Sequence, residues 1–87
     1  MKVYIIKTTF TATVKGINQV IDEDVLCFVY TDFDKAQNAM KSLALKHKNN
    51  SGYTTSIYTN CVYLLSKRSN ETDATYQIKI EVIEKEI

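Results

Sequence analysis

Residues 31–48, TDFDKAQNAMKSLALKHK, decide how the rest of the chain has to be read. Phe33, Ala36, Met40, Leu43, Ala44 and His47 recur at offsets of three and four, which places them on one side of a 3.6-residue turn. Asp34, Gln37, Asn38, Lys41 and Lys46 fall elsewhere, so the spacing predicts a one-sided helix. Thr31 or Asp32 offers a side-chain oxygen to the unpaired amides of the first turn, and Asp32 and Asp34 suit the positive end of the helix dipole. Lys46, His47 and Lys48 suit the other end. Asn49, Asn50, Ser51 and Gly52 stop the helix, the glycine being free to take the positive φ that follows many helices.

Outward from the helix, the chain reads as strand and turn. In Lys2–Val14, Tyr4, Ile6, Phe10, Ala12 and Val14 share one parity while Val3 and Ile5 take the other, predicting a long first strand. Lys15 and Gly16 suggest a reversal, residues 17–21 resume the ladder, and Asp22, Glu23 and Asp24 read as a solvated turn. Residues 25–30, VLCFVY, are apolar on both parities and read as a central strand covered on both faces. Residues 53–66 read as one strand with a bend or bulge at Thr59 and Asn60, residues 67–73 as a polar hairpin loop, and residues 76–83 as a half-buried strand. The expectation is a single domain, 1–87, of class α+β. It has a four-stranded, mainly antiparallel sheet with one helix on a face in the order ββαββ. The helix between the second and third strands leaves room for a right-handed parallel crossover there.

Composition bounds what such a domain does. With 87 residues there is one core, and 11 Lys and Arg against 10 Asp and Glu give a net charge of +1, without the long-range field of a polyanion binder. The opening MKVYIIKTTF is too short in apolar residues for a signal-peptide core, and nowhere do about 18 apolar residues run together, so a cytoplasmic protein without membrane partners is expected. Cys27 and Cys61 lack zinc or redox spacing and read as buried free thiols, with a disulfide between them as the alternative. The sequons at Asn49 and Asn70 are discounted, since no export signal accompanies them.

No catalytic constellation, cofactor fingerprint or metal set emerges, and the chain is expected not to be an enzyme. His47 with Cys61 makes a conceivable base and nucleophile, but His47 reads better as a cap on the helix end. Asp22, Glu23, Asp24, Asp32 and Asp34 lack EF-hand spacing and read as turn and cap residues rather than a cation site. Tyr53, Tyr58 and Tyr63 with Lys67 and Arg68 offer rings beside cations, as single-strand nucleic-acid binders do. However, Tyr58 takes the opposite parity from the other two unless a bulge intervenes. A weak nucleic-acid binder using Tyr58, Lys67 and Arg68 is therefore the alternative function.

The most informative feature is a surplus of apolar strand residues. One helix covers one sheet face, whereas residues 25–30 and 61–65, with Val3 and Ile5 opposite Tyr4 and Ile6, supply apolar side chains to both. At roughly 25 cal/mol per Å² the uncovered part is worth several kcal/mol. The curl of the sheet with the loops at residues 15–24 and 67–73, a second copy of the chain, or a foreign protein would each cover it. Val3, Ile5, Val62, Leu64, Tyr58, Lys67 and Arg68 are the candidate partner-binding residues.

Within VLCFVYTDFDKAQNAMKSL, residues 25–43, an apolar strand ending at Tyr30 runs through Thr31 and Asp32 into an Ala-containing helix. This pattern resembles small single-helix α+β accessory proteins of phages and mobile elements, anti-CRISPR-type inhibitors among them. The resemblance implies a stoichiometric inhibitor or regulator of a host complex that works by surface contact. Lacking the acidity of DNA mimics, the chain would rely on shape and apolar contact. The functional expectation is thus a non-enzymatic, homodimeric protein-interaction module acting through an apolar sheet face or edge.

Overall fold

The first and last strands of the chain form the middle of the sheet. In the computed structural model, which describes residues 1–71 and 73–87 with the side chains of Leu26 and Cys27 excepted, β1 is Lys2–Val14 and β5 is Ala74–Glu86. They pair antiparallel over their whole length, from Lys2 opposite Glu86 to Val14 opposite Ala74. Between them in sequence lie β2 (Ile17–Tyr30), the helix α1 (Phe33–Ser51), β3 (Thr54–Tyr58) and β4 (Val62–Ser69). The sheet order is β2-β1-β5-β4-β3, and every neighbouring pair is antiparallel. One helix on a mainly antiparallel sheet matches the expected class. The strand number is five rather than four.

The helix begins as its sequence predicts but takes in Asn49, Asn50 and Ser51, which were expected to stop it. The Asp32 side chain accepts a hydrogen bond from the Asp34 amide at 2.9 Å, and Gly52 ends the helix at φ 73°. Its Ala36, Met40 and Ala44 are fully buried against Ile6, Leu65, Ile78, Ile80 and Val82, the side chains of alternate positions in β1, β4 and β5. Phe33 meets Tyr4 edge to face at one end of the helix, and His47 meets Phe10 in the same way near the other. The helix thus runs along β1 and returns the chain from one edge of the sheet to the opposite edge.

That return is a crossover between strands of the same direction, but without the parallel pairing expected of it. In an antiparallel sheet of this order β2 and β3 point the same way, but β1, β5 and β4 lie between them and no parallel pair forms. Residues 25–30 are not central either: β2 is an edge strand, and Val25, Phe28 and Val29 are exposed. The apolar run misled because periodicity reveals which face a side chain takes and says nothing about whether a neighbouring strand is present. The reading of Leu26 as apolar cover, the buried-thiol reading of Cys27 and the sequon ending at Thr72 lie outside the described residues.

Asp22, Glu23 and Asp24 belong to β2, opposite Phe10, Thr9 and Thr8, rather than to a turn. An edge strand has solvent along one side, so charge there is cheap and discourages pairing with other chains. The reversal at Lys15 and Gly16 is as read: both have positive φ, 52° and 81°, which makes it a two-residue type I′ hairpin turn. Residues 53–66 hold two strands, not one, because Thr59, Asn60 and Cys61 close a hairpin. The Thr59 hydroxyl accepts from the amides of Cys61 and Val62, and its amide donates to the Val62 carbonyl at 2.8 Å. Lys67, Arg68 and Ser69 then continue β4, so the polar loop is shorter than expected.

Candidate functional site

The face of the sheet away from the helix carries the side chains of opposite parity. Tyr4, Ile6, Thr8 and Phe10 face the helix, so Val3, Ile5, Lys7 and Thr9 face away, as do their partners Lys85, Ile83, Glu81 and Lys79 on β5. No second helix exists among the described elements, and residues 17–24 and 67–69 of the two segments read as loops are strand.

Across this open face the composition changes along the strands. At one end Val29, Ile5 and Ile83 sit side by side on β2, β1 and β5. In the next rows Val25 lies beside Lys7, and Val62 beside Glu81, and then Ile57, Leu64 and Lys79 are neighbours. Lys7 pairs with Glu23 at 3.8 Å and Lys79 with Glu81 at 3.6 Å, so the middle of the face is ionic. Toward the type I′ turn the row becomes Val20, Thr11, Gln77, Ser66 and Thr54, with Val20 exposed at the β2 edge. The apolar surplus is concentrated at one end and along the flanks of a mixed surface.

The candidate residues divide between faces. Val3, Ile5, Val62, Leu64 and Arg68 lie on the open face, where Val3 is only 5% exposed and Arg68 is paired with Asp73. Tyr58 and Lys67 lie on the helix face. A bulge in β3 between Thr55 and Ile57 shifts the parity, so that Tyr58 stands opposite Tyr63 with their rings edge to face at 4.7 Å. Lys67 Nζ sits 5.8 Å from the centre of the Tyr53 ring. The three tyrosines therefore share a face after all, but it is the one α1 occupies, and Arg68 is on the other. The stacking platform expected of Tyr58, Lys67 and Arg68 is not assembled.

The remaining chemistry-bearing residues are likewise placed. Cys61 is a free, exposed thiol in the β3–β4 turn, contrary to the buried position expected of it. It lines a shallow hollow with Tyr4, Phe33, Val82 and Glu84. His47 packs on Phe10 rather than capping the helix, and burial, with the charge of Lys46 second, lowers its pKa from the ordinary 6.5. Burial, with Tyr76 nearby, raises the phenol pKa of Tyr53. Strand alternation turns Glu23 away from Asp22 and Asp24, and among the described residues no three His, Cys, Asp or Glu side chains gather as a metal site. No described helix is long and apolar enough to cross a membrane.

One site escaped the residue-by-residue reading. Lys41 and Leu45 on α1 and Tyr58 and Tyr63 on β3 and β4 enclose an open groove of about 320 Å³ along the β3 edge. The available signal was the distribution of charge rather than its total: positions 35–70 hold Lys35, Lys41, Lys46, Lys48, Lys67 and Arg68, and no Asp or Glu. Comparison of the chain with protein-family models, with curated proteins and with solved structures returns no match.

Proposed function

We propose that the chain is a non-enzymatic protein-interaction module that self-associates through the open face of its sheet. The observation supporting this is the apolar end of that face, where the exposed Val29 and the half-buried Ile5 and Ile83 lie in one row with no described helix packed on them. Val29 is 54% exposed and Val25 50%, so a second copy laid over this end removes apolar area from water on both copies. The ionic middle, with Lys7, Glu23, Lys79 and Glu81, forms a polar rim beside it. On this reading the dimer presents its helix faces outward, and the phage-type inhibitor role implied by residues 25–43 is exercised from there.

Size-exclusion chromatography with light scattering tests the reading. A dimer is expected at micromolar concentration, with Val29→Lys and Ile83→Lys each giving a monomer of unchanged far-UV circular dichroism. A wild-type monomer at high micromolar concentration removes the proposal. The inhibitor role is tested separately, by titrating the purified chain against a reconstituted host defence complex and looking for loss of activity at equimolar ratio.

A further inference from the structure

We infer that the β3 edge, with the groove beside it, is a docking site for an extended acidic segment of another protein, which adds as a sixth strand. β3 ends the sheet, pairs only with β4, and all five of its residues are exposed. Its outer backbone groups are therefore open to pairing, and an added strand projects alternate side chains toward the helix side. There the groove takes one of them: Tyr63 lies on β4, Tyr58 forms the strand-side wall and Leu45 of α1, 56% exposed, the other. Its size, at the small end of ligand pockets, fits a single large apolar side chain.

Charge selects the occupant. Lys41 Nζ stands 5.7 Å from the centre of the Tyr58 ring at the rim of this groove, and none of the ion pairs of the described residues involves a helix lysine. Lys48 follows Lys41 and Leu45 on the same flank of the helix, at three- and four-residue spacing, and no acidic residue occurs from 35 to 70. The opposite edge has the reverse sign, with Asp22, Glu23 and Asp24 in β2. A second copy offering its own acidic β2 is the less suitable occupant. β2 and β3 point the same way, so a copy added by translation pairs in parallel and leaves an open edge at each end of a growing fibre. Nucleic acid would use the lysines but not the open backbone edge.

The probe is a fluorescein-labelled peptide, Thr-Asp-Val-Phe-Val-Asp-Thr, whose Phe and both Asp fall on one side of an extended strand. Anisotropy is expected to report binding that weakens about tenfold with Lys41→Glu, a surface change that leaves the fold intact. The same peptide N-methylated at alternate backbone positions is expected to lose at least as much, and amide shifts are expected to map to Thr54–Tyr58. The inference is overturned by no binding at millimolar peptide, by equal binding of the N-methylated peptide, or by indifference to Lys41→Glu. Displacement of the peptide by oligothymidine with a steep salt dependence also overturns it, as does fibre growth abolished by Asp22→Asn with Asp24→Asn. Ile83→Lys is expected to leave peptide binding unchanged, so this site and the dimer face stand or fall separately.

Discussion

Leu65 has no exposed surface and sits among Ile6, Met40, Ile78 and Ile80 in the cluster under the helix. Leu65→Ala leaves a cavity that close-packed neighbours fill only in part, and a loss of about 2–5 kcal/mol is expected in urea unfolding. His47 offers a test of a different kind. Its proton is disfavoured in the folded chain, so the unfolded chain binds more protons as the pH falls through 6.5. Stability attributable to this group is complete above that value and is lost below it. The urea midpoint is expected to fall between pH 7 and pH 5.5, a range in which ordinary carboxylates stay ionised, and His47→Phe is expected to flatten that slope. At this scale the sequence was a good guide wherever a side chain's face was the question, as with Ile6, Phe10, Ile78 and Met40. It failed at Tyr58, because one bulged residue inverts parity and Ser56 has nothing in its chemistry to announce a bulge.

The helix is the element whose ends are written most clearly in its residues. Asp32→Ala removes the acceptor of the Asp34 amide and is expected to cost about 1 kcal/mol in thermal or urea unfolding. Gly52→Ala meets no side chain, since nothing lies within 4 Å of the added carbon. It is still expected to cost about 1 kcal/mol, because an L-residue is strained at φ 73°. Strands are a harder case. VLCFVY was assigned to the sheet centre because both its parities are apolar, yet Val25 and Val29 look out to the open face beside Lys7 and Ile5 while Tyr30 packs under the helix. The β2 register shifts on either side of the acidic triplet, opposite Ile5/Lys7 and Phe10/Thr11 of β1, and the triplet itself continues the ladder instead of ending it. The β3–β4 turn contains neither Gly nor Pro, and the Thr59 hydroxyl does the work of closing it, which no composition rule marks. The groove beside β3 was hidden for a related reason, since it is shared by a helix and two strands brought together only by the sheet order.

For the molecule as a whole, the paired outer strands of sequence determine what can be cut and joined. The Met1 amine donates to the Ile87 carbonyl at 2.8 Å, and the Ile87 amide donates back to Met1 at the same distance. A circular permutant that links these ends and opens at Lys15 and Gly16 therefore keeps every strand pair, and it is expected to retain the native far-UV spectrum with a lower melting temperature. The centre of the sheet joins residues far apart in sequence. In a chain cut before Ala74, half of the β1 ladder has no partner, and Ile6 and Phe10 have only an unfinished floor to rest on. Folding then waits until β5 is free to pair, and a product truncated before Ala74 is expected to be a substrate for chaperones and proteases.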